Sequence, residues 1–462
     1  MSAHAPIVMK FGGTSMKDAA TIQRSAKIAQ TAAGDKPVVV VVSAMDQVTE
    51  LLLDSGAAAV RTGEEDRAKM LDLLGQIRSK HEAAAKAIGG NAPQRVGAML
   101  DRLDALVRGI NAVGELTARS KDAVVAFGEM LSTQLMGAAM NCPAFTGQEV
   151  GLVTNEHFGK AEPLMDLSFF QIRQTLEPVL GKGGSGRAVV SGFIAATQHG
   201  VTTTLGRGGS DYTACILGAA LKAEEVWIWS DVDGLMSTDP RVVPGAKLLE
   251  SVTFAEAIEM GQFGAKSMHP LALEPAAEHG ISVRFRNTFN LESPGTLILA
   301  QDPDAKGAPV KCCLLYKNAA MIGVSGAAMI GRPGTAARVF HALAEVAVNI
   351  MMISQSVSEA GISLVISKDH ADRAKTVLER SLMRTGLARA VTTQEDVAVV
   401  AAVGSGMHGV PGIAAKVFSA VAAKGINVIA VAQGSSELSI SFVVAGKDGP
   451  GAVKALHEAF IG

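Results

Sequence analysis

The chain has 462 residues, 48% hydrophobic, 19% charged and 4% aromatic, with 49 glycines and a formal net charge of −2. A length for about two to four domains, with no dense Lys/Arg run, excludes an electrostatic nucleic-acid binder. The apolar runs Val38–Val42 and Val397–Val403 are far too short to span a bilayer, and the first residues lack the layout of a signal peptide.

Cys142, Cys215, Cys312 and Cys313 show no CxxC spacing, as expected of idle thiols in a reducing compartment. The expectation is a cytoplasmic, glycine- and alanine-rich α/β protein. In chain order, Pro6 to Phe11 is a short apolar run that ends in Gly12-Gly13-Thr14-Ser15 and gives way to a helical pattern. That order places Lys10 at the carboxyl end of a strand, where open α/β sheets bind ligands. Val38–Val42 is a β-branched run suited to a strand buried on both faces, and a loop runs from Ser43 to Thr49. Residues 50 to 118 are helical in pattern with a break at Gly89-Gly90-Asn91, and no chemistry is evident there.

The stretch from Asp122 to Met136 puts Glu129 inside an otherwise apolar helix. A carboxylate there needs a partner, so Glu129 is either half of a buried ion pair or a ligand for a substrate ammonium group. Val150 to Asn155 reads as a further strand, and Phe158-Gly159-Lys160-Ala161 as part of a site rim. Gly181 to Gly186 spells GxGxxG but precedes a strand, so a hairpin-like surface turn is expected in place of a dinucleotide site. No GxxxxGK[ST] loop occurs, so nucleotide binding requires another architecture.

Thr202 to Asp211 is the organising stretch: a strand end, the loop Gly206-Arg207-Gly208-Gly209, then Ser210-Asp211 opening an alanine-rich helix. Glycines let the backbone approach a ligand closely. Unpaired N–H groups at the helix start favour phosphate or carboxylate, and Arg207 adds a planar fork. The competing reading is a plain turn with Ser210 or Asp211 as N-cap. Next, Glu225 to Ser230 reads as a buried strand ending in Asp231 and Asp233, which lack the loop of a calcium hand. Thr238-Asp239-Pro240-Arg241 and Phe263-Gly264-Ala265-Lys266 follow. Ile281 to Thr288 reads as a last strand, and the domain closes near residue 300. Cations at Lys10, Arg207, Arg241 and Lys266, with carboxylates at Asp211 and Asp231, describe a phosphoryl-transfer site.

Taken together, KFGGTS from Lys10, GRGGSD from Gly206, SDVDG from Ser230, TDPR from Thr238 and FGAK from Phe263 resemble the aspartate kinases. The resemblance implies an amino-acid kinase three-layer αβα sandwich over 1–300. It implies ATP- and Mg²⁺-dependent phosphorylation of the β-carboxylate of L-aspartate, opening the route to the aspartate-derived amino acids. It further implies that Arg207 grips the substrate's α-carboxylate and Glu129 its ammonium, with Thr49 and Ser210 completing the pocket. Lys10 would bridge the attacking carboxylate and the γ-phosphoryl, with Asp211 beside it among the catalytic residues. Gly12, Gly13, Ser15 and Gly209 would offer donors, and Asp231, Arg241 and Lys266 would hold phosphates and Mg²⁺. Two nucleotide-side positions depart from the family: Ser230 stands for the usual Thr, and Met236 for the usual Tyr. An amino-acid kinase with another acceptor is the neighbouring alternative. A non-catalytic amino-acid sensor is the other, disfavoured because Lys10, Arg207 and Lys266 are all present.

Beyond residue 300 the chain repeats itself: Pro333-Gly334 recurs as Pro411-Gly412, 78 residues on, and Asn349, Gln355 and Glu359 recur as Asn427, Gln433 and Glu437. Such a repeat implies two similar packed modules. They resemble paired ACT domains (βαββαβ, ferredoxin-like), with bounds expected at 317–393 and 394–462. In threonine-responsive aspartate kinases the loops matching 353–359 and 431–437 hold the effector. That implies Gln355, Ser358, Glu359 and Asn349 in one copy and Gln433, Ser436 and Asn427 in the other, for threonine, lysine or both. The modules are also expected to join copies into a homo-oligomer. With Gly462 as the last residue, the monofunctional form is expected.

Overall fold

The computed structural model describes residues 5–61, 63–263, 269–301 and 308–462. It divides into two compact units, one of Met1–Leu235, Glu250–Phe254 and Lys266–Ala300, the other of Met236–Leu249, Ala255–Ala265 and Gln301–Gly462.

The first unit is built on an eight-stranded sheet. Ile7–Phe11 lies between Val38–Val42 and Glu225–Ser230, parallel to both. Arg187–Ser191 and Ser282–Asn287 extend the parallel run on either side. Ile7, Met9 and Phe11 share a core with Ile22, Leu74, Val96 and Leu131 from four helices. Alternation sends Val8 and Lys10 to the opposite face, where Gly209–Leu221 packs. All of Val38–Val42 is buried, as its composition requires. Ser282–Asn287 is not the last strand: Thr296–Leu299 follows and pairs with it antiparallel. The Gly181–Gly186 turn joins the helix Met165–Leu180 to the strand Arg187–Ser191, so it is a helix–strand connection and no hairpin.

Between residues 48 and 113 the chain forms Val48–Ala59, Glu64–Ile88 and Ala92–Val113. Gly89 and Gly90, at φ 80° and 62°, break the last two apart. Residues 118–140 are long and apolar enough to cross a bilayer, with mean hydropathy 1.2, but 72% of that window is buried in the protein. Its apolarity is that of a core helix.

The second unit carries a six-stranded antiparallel sheet in the order Ile350–Gln355, Gly361–Ser367, Cys312–Ser325, Ala390–Val403, Ser439–Ala445, Ala430–Gln433. The repeat survives in three dimensions. Helices open at Thr335 and Ile413, strands at Gly361 and Ser439, and second helices at Ala371 and Gly449. The long strand Cys312–Ser325 serves both copies. Met321–Ser325 pairs with Ala390–Gln394 in the first module, and Cys312–Tyr316 pairs with Val399–Val403 to give the second its fourth strand.

Two earlier stretches are built into this unit. Val242 and Val243 pack in the core formed by Val310, Val417 and Phe442. Ser237 Oγ lies 2.9 Å from His457 Nε2. Glu256, 1% exposed, accepts the Ser405 N–H at 2.7 Å and pairs with Lys311 at 3.3 Å.

Candidate active site

The carboxyl ends of the parallel strands meet the start of the helix Gly209–Leu221 around a cavity of about 390 Å³. Lys10, Gly13, Thr49, Glu129, Arg207, Gly209, Ser210 and Asp211 line it. They come from four separate stretches of the sequence, around residues 10–13, 49, 129 and 207–211, and the fold brings these to one place.

The helix opens one residue earlier than expected, at Gly209, with Gly208 at φ 76° as N-cap and no side chain capping it. Ser210 and Asp211 are therefore left free of capping duty. A Cβ on Gly208 would lie 2.4 Å from His269 Cβ, and one on Gly209 would lie 2.8 Å from Phe193 Cδ2. The glycines let the loop close down on its neighbours. Lys10, on the face of the sheet that this helix covers, reaches Asp211 Oδ1 at 2.6 Å. Arg207 is exposed, its fork available to an incoming anion.

The opposite wall is the loop 43–47, the start of the helix Val48–Ala59 and the helix Phe127–Met140. Gln47 takes a left-handed φ of 66° and caps the helix that holds Thr49. Glu129 is 5% exposed and forms no ion pair among the described residues; its Oε2 has no hydrogen-bond partner there. Burial pushes its carboxyl up to about 8, against the opposing influence of the Ala44 N–H and the Lys10 charge. A buried, unpaired carboxylate oxygen in the cavity wall fits the ammonium-ligand reading and not the structural ion pair.

Some expected donors are engaged elsewhere. Gly12 donates its N–H to the Trp229 carbonyl at 3.3 Å. Ser15 is buried, its Oγ 2.7 Å from Thr288 Oγ1. Ser230 Oγ accepts the Val232 N–H at 3.3 Å, and Asp231 is exposed at the strand end. Asp233 accepts from Asn287 and Asn290 at 2.8 and 3.0 Å. Met236 and Arg241 belong to the second unit. There Met236 bridges to Leu248, and Arg241 chelates Asp239 with Nη2 at 2.7 Å, which lowers the Asp239 pKa. Lys266 lies outside the described residues. Sequence reasoning missed Phe193, Gln47 and Asp122. For Asp122 a signal existed: a second acid in the same apolar helix as Glu129.

Residues 5–287 match the model of the Amino acid kinase family, and 322–382 and 400–460 match that of the ACT domain. Aspartokinase 3 of Arabidopsis thaliana is 33% identical over 98% of this chain and 81% of its own length. The chain belongs to the aspartokinase family. It also matches an Arabidopsis thaliana bifunctional aspartokinase/homoserine dehydrogenase at 33% identity over 98% of the chain. It spans about half the length of that relative, 51%. E. coli aspartokinase III in complex with aspartate and ADP (R-state) superposes with a TM-score of 0.81 at 30% identity, covering 98% of this chain and 99% of that one. The same E. coli protein in complex with lysine and aspartate (T-state) gives 0.79 at 30%, with both chains fully covered.

In the ACT modules of this aspartokinase-family chain, Gln355 and Gln433 end the two edge strands of the sheet. Asn349 and Asn427 are exposed just before those strands. Glu359 and Glu437 share a left-handed φ, 56° and 52°. Their carboxylates accept the N–H of Gly331 at 2.9 Å and of Gly409 at 2.6 Å. The two glutamates thus tie each effector-type loop to a glycine turn. Ser358 Oγ lies 2.8 Å from Ser356 Oγ, and Ser436 is exposed in the matching loop.

Proposed function

We propose that the protein transfers the γ-phosphoryl group of ATP to the β-carboxylate of L-aspartate, giving 4-phospho-L-aspartate and ADP. The observation that carries this is the cavity itself. It sets an exposed guanidinium, Arg207, and an unpaired buried carboxylate, Glu129, around the Lys10–Asp211 pair. A free α-amino acid offers the matching carboxylate and ammonium. Its side-chain carboxylate then faces Lys10. That oxygen attacks the γ-phosphorus as the bond to the ADP oxygen breaks. A carboxylate is already a nucleophile near neutral pH, so no base is needed and positioning dominates. Lys10 neutralises charge that moves from the terminal phosphate to the leaving oxygen.

For Mg²⁺, no cluster of three or more acidic, His or Cys ligands occurs among the described residues. That fits an ion held by one or two carboxylates, phosphate oxygens and water. Asp231 would supply the carboxylate. When bound, the ion neutralises phosphate charge. Arg241 and Lys266 would contact phosphates.

The paired modules take an end-product amino acid as inhibitor. Lysine is the first candidate, because E. coli aspartokinase III was captured with it, and threonine is the second. Exposed Ile353 and Val431 on the edge strands suit a homo-oligomeric contact.

An ATP- and Mg²⁺-dependent hydroxamate assay tests the reading. Product from aspartate but not glutamate, suppressed by lysine or threonine, is the expected result. A folded, ATP-binding protein inactive on aspartate would point to a different acceptor.

A further inference from the structure

Asp122 and Glu129 lie seven residues apart in the helical stretch 118–140. Ala126, between the helices Ala118–Val125 and Phe127–Met140, keeps helical angles of −58° and −25°. Two turns therefore put both acids on one face, separated by about 10 Å along the axis. Glu129 lines the cavity. Asp122, 1% exposed, does not.

Asp122 instead holds the chain leading to Arg207. Its Oδ1 accepts the Thr204 hydroxyl at 2.9 Å, and its Oδ2 accepts the Thr204 N–H at 3.0 Å and the Gly159 N–H at 2.9 Å. Thr204 ends the strand Thr202–Thr204, three residues before Arg207. The Gly159 loop supports the same segment from the side. A Cβ on Gly206 would stand 3.4 Å from the Gly159 carbonyl oxygen and 3.5 Å from Lys160 Cγ. Three donors converge on one carboxylate, and a neutral amide of the same shape would turn an N–H toward at least one of them.

We propose that Asp122 is a positioning residue for recognition of the substrate's α-carboxylate. It ties the entrance of the Gly206–Gly209 loop to the helix that carries Glu129, and so fixes the separation between the Arg207 and Glu129 subsites. The inference rests on the assignment of those two residues to the α-carboxylate and the ammonium of aspartate. A helix two turns long then acts as the spacer for the two groups common to all α-amino acids, while the reacting side chain is left to Lys10.

The test is a double-mutant cycle in the full chain with Asp122→Asn, Arg207→Met and the pair, read as kcat and as KM for aspartate and for ATP. Asp122→Asn is expected to raise the aspartate KM about tenfold, with kcat and the ATP KM held within about twofold, as for lost uniform binding. The pair should be no worse than Arg207→Met within about twofold, because both changes remove one interaction. Thr204→Val, which keeps the backbone donor, should move the aspartate KM in the same direction by less; it replaces Asp122→Asn in the cycle should that variant not fold. Equal losses for both substrates, or penalties that multiply in the pair, would overturn the proposal and leave Asp122 a general staple of the fold. An Arg207→Met enzyme with unchanged aspartate KM would instead overturn the underlying site assignment.

Discussion

Lys10 and Asp211 form an ion pair of 2.6 Å in the wall of the cavity, with side chains 12% and 9% exposed. One residue lies next to the end of the strand Ile7–Phe11 and the other in the first turn of the helix Gly209–Leu221, so the pair joins the two most informative motifs of the chain. On the proposed function, the phosphoryl group arrives where this charge is already held. Lys10→Met is expected to lower kcat by about 10²–10³-fold, the scale for removing one donor that stabilises transition-state charge. Asp211→Asn leaves the ammonium without its partner and should cost less, about tenfold to a hundredfold. Steady-state kcat for both variants at saturating aspartate checks the order.

Glu129 gives a pH dependence with a definite sign. Its carboxyl, pushed up to about 8 by burial, is protonated in the empty site at neutral pH, and a neutral acid cannot pair with an ammonium. Aspartate kcat/KM should therefore rise with pH up to about 8, and Glu129→Gln should flatten the rise while weakening aspartate about tenfold or more. Stability runs the other way. The folded pKa lies above the unfolded value of 4.5, so the folded state binds more protons between the two values. The contribution is full below 4.5 and is lost as pH rises toward about 8. The ligand-free Gln variant should thus lose less Tm than wild type between pH 6 and pH 9 (a range of about three units).

Gly209→Ala probes the close approach of the helix start to its surroundings. Its Cβ would meet Phe193 Cδ2 at 2.8 Å and Leu205 Cβ at 3.1 Å, and Phe193 is itself held at a φ of 65°. The helix start must shift by a few tenths of an ångström or more. An aspartate kcat/KM reduced about tenfold, with a Tm loss equivalent to about 1–3 kcal/mol, is expected. Kinetics and thermal melts on the same sample would show whether both occur.

In the second unit, Glu256 is a buried carboxylate shared by the Ser405 N–H and Lys311. Glu256→Gln should destabilise that unit by about 1–3 kcal/mol, because the buried Ser405 N–H loses a charged acceptor and Lys311 one of its charged contacts. Differential scanning calorimetry should show a lowered transition; an unchanged melt would rule out a structural role for the pair.

Much of this was legible in the sequence because the signals are local. Val38–Val42 could hardly be anything but a buried strand, and a glycine loop between strand and helix carried Arg207 and Asp211 to the cavity. The 78-residue repeat reappears as helix and strand starts at the same offset in the two modules. What escaped depends on distant partners. Asp122 finds Gly159 37 residues away and Thr204 82 residues away, and no spacing rule links them. The organising helix starts one residue earlier than Ser210, because Gly208 in the left-handed region takes the cap position and leaves Ser210, a good N-cap by type, inside the first turn. Gly12 and Ser15 looked available as donors until Trp229 and Thr288 were seen to occupy them.

The strand Cys312–Ser325 ties the two repeats into an interlocked pair. They follow each other in the chain, yet the second borrows its last strand from residues that precede the first. A nick or a recombination junction between them would not release one intact copy, because both share a single sheet. Removal of residues 312–316 should expose Val399–Val403 as a raw sheet edge, an invitation to aggregation. A shift in either copy is carried into a backbone the other copy also uses, so neither repeat can be evolved, excised or moved without its twin.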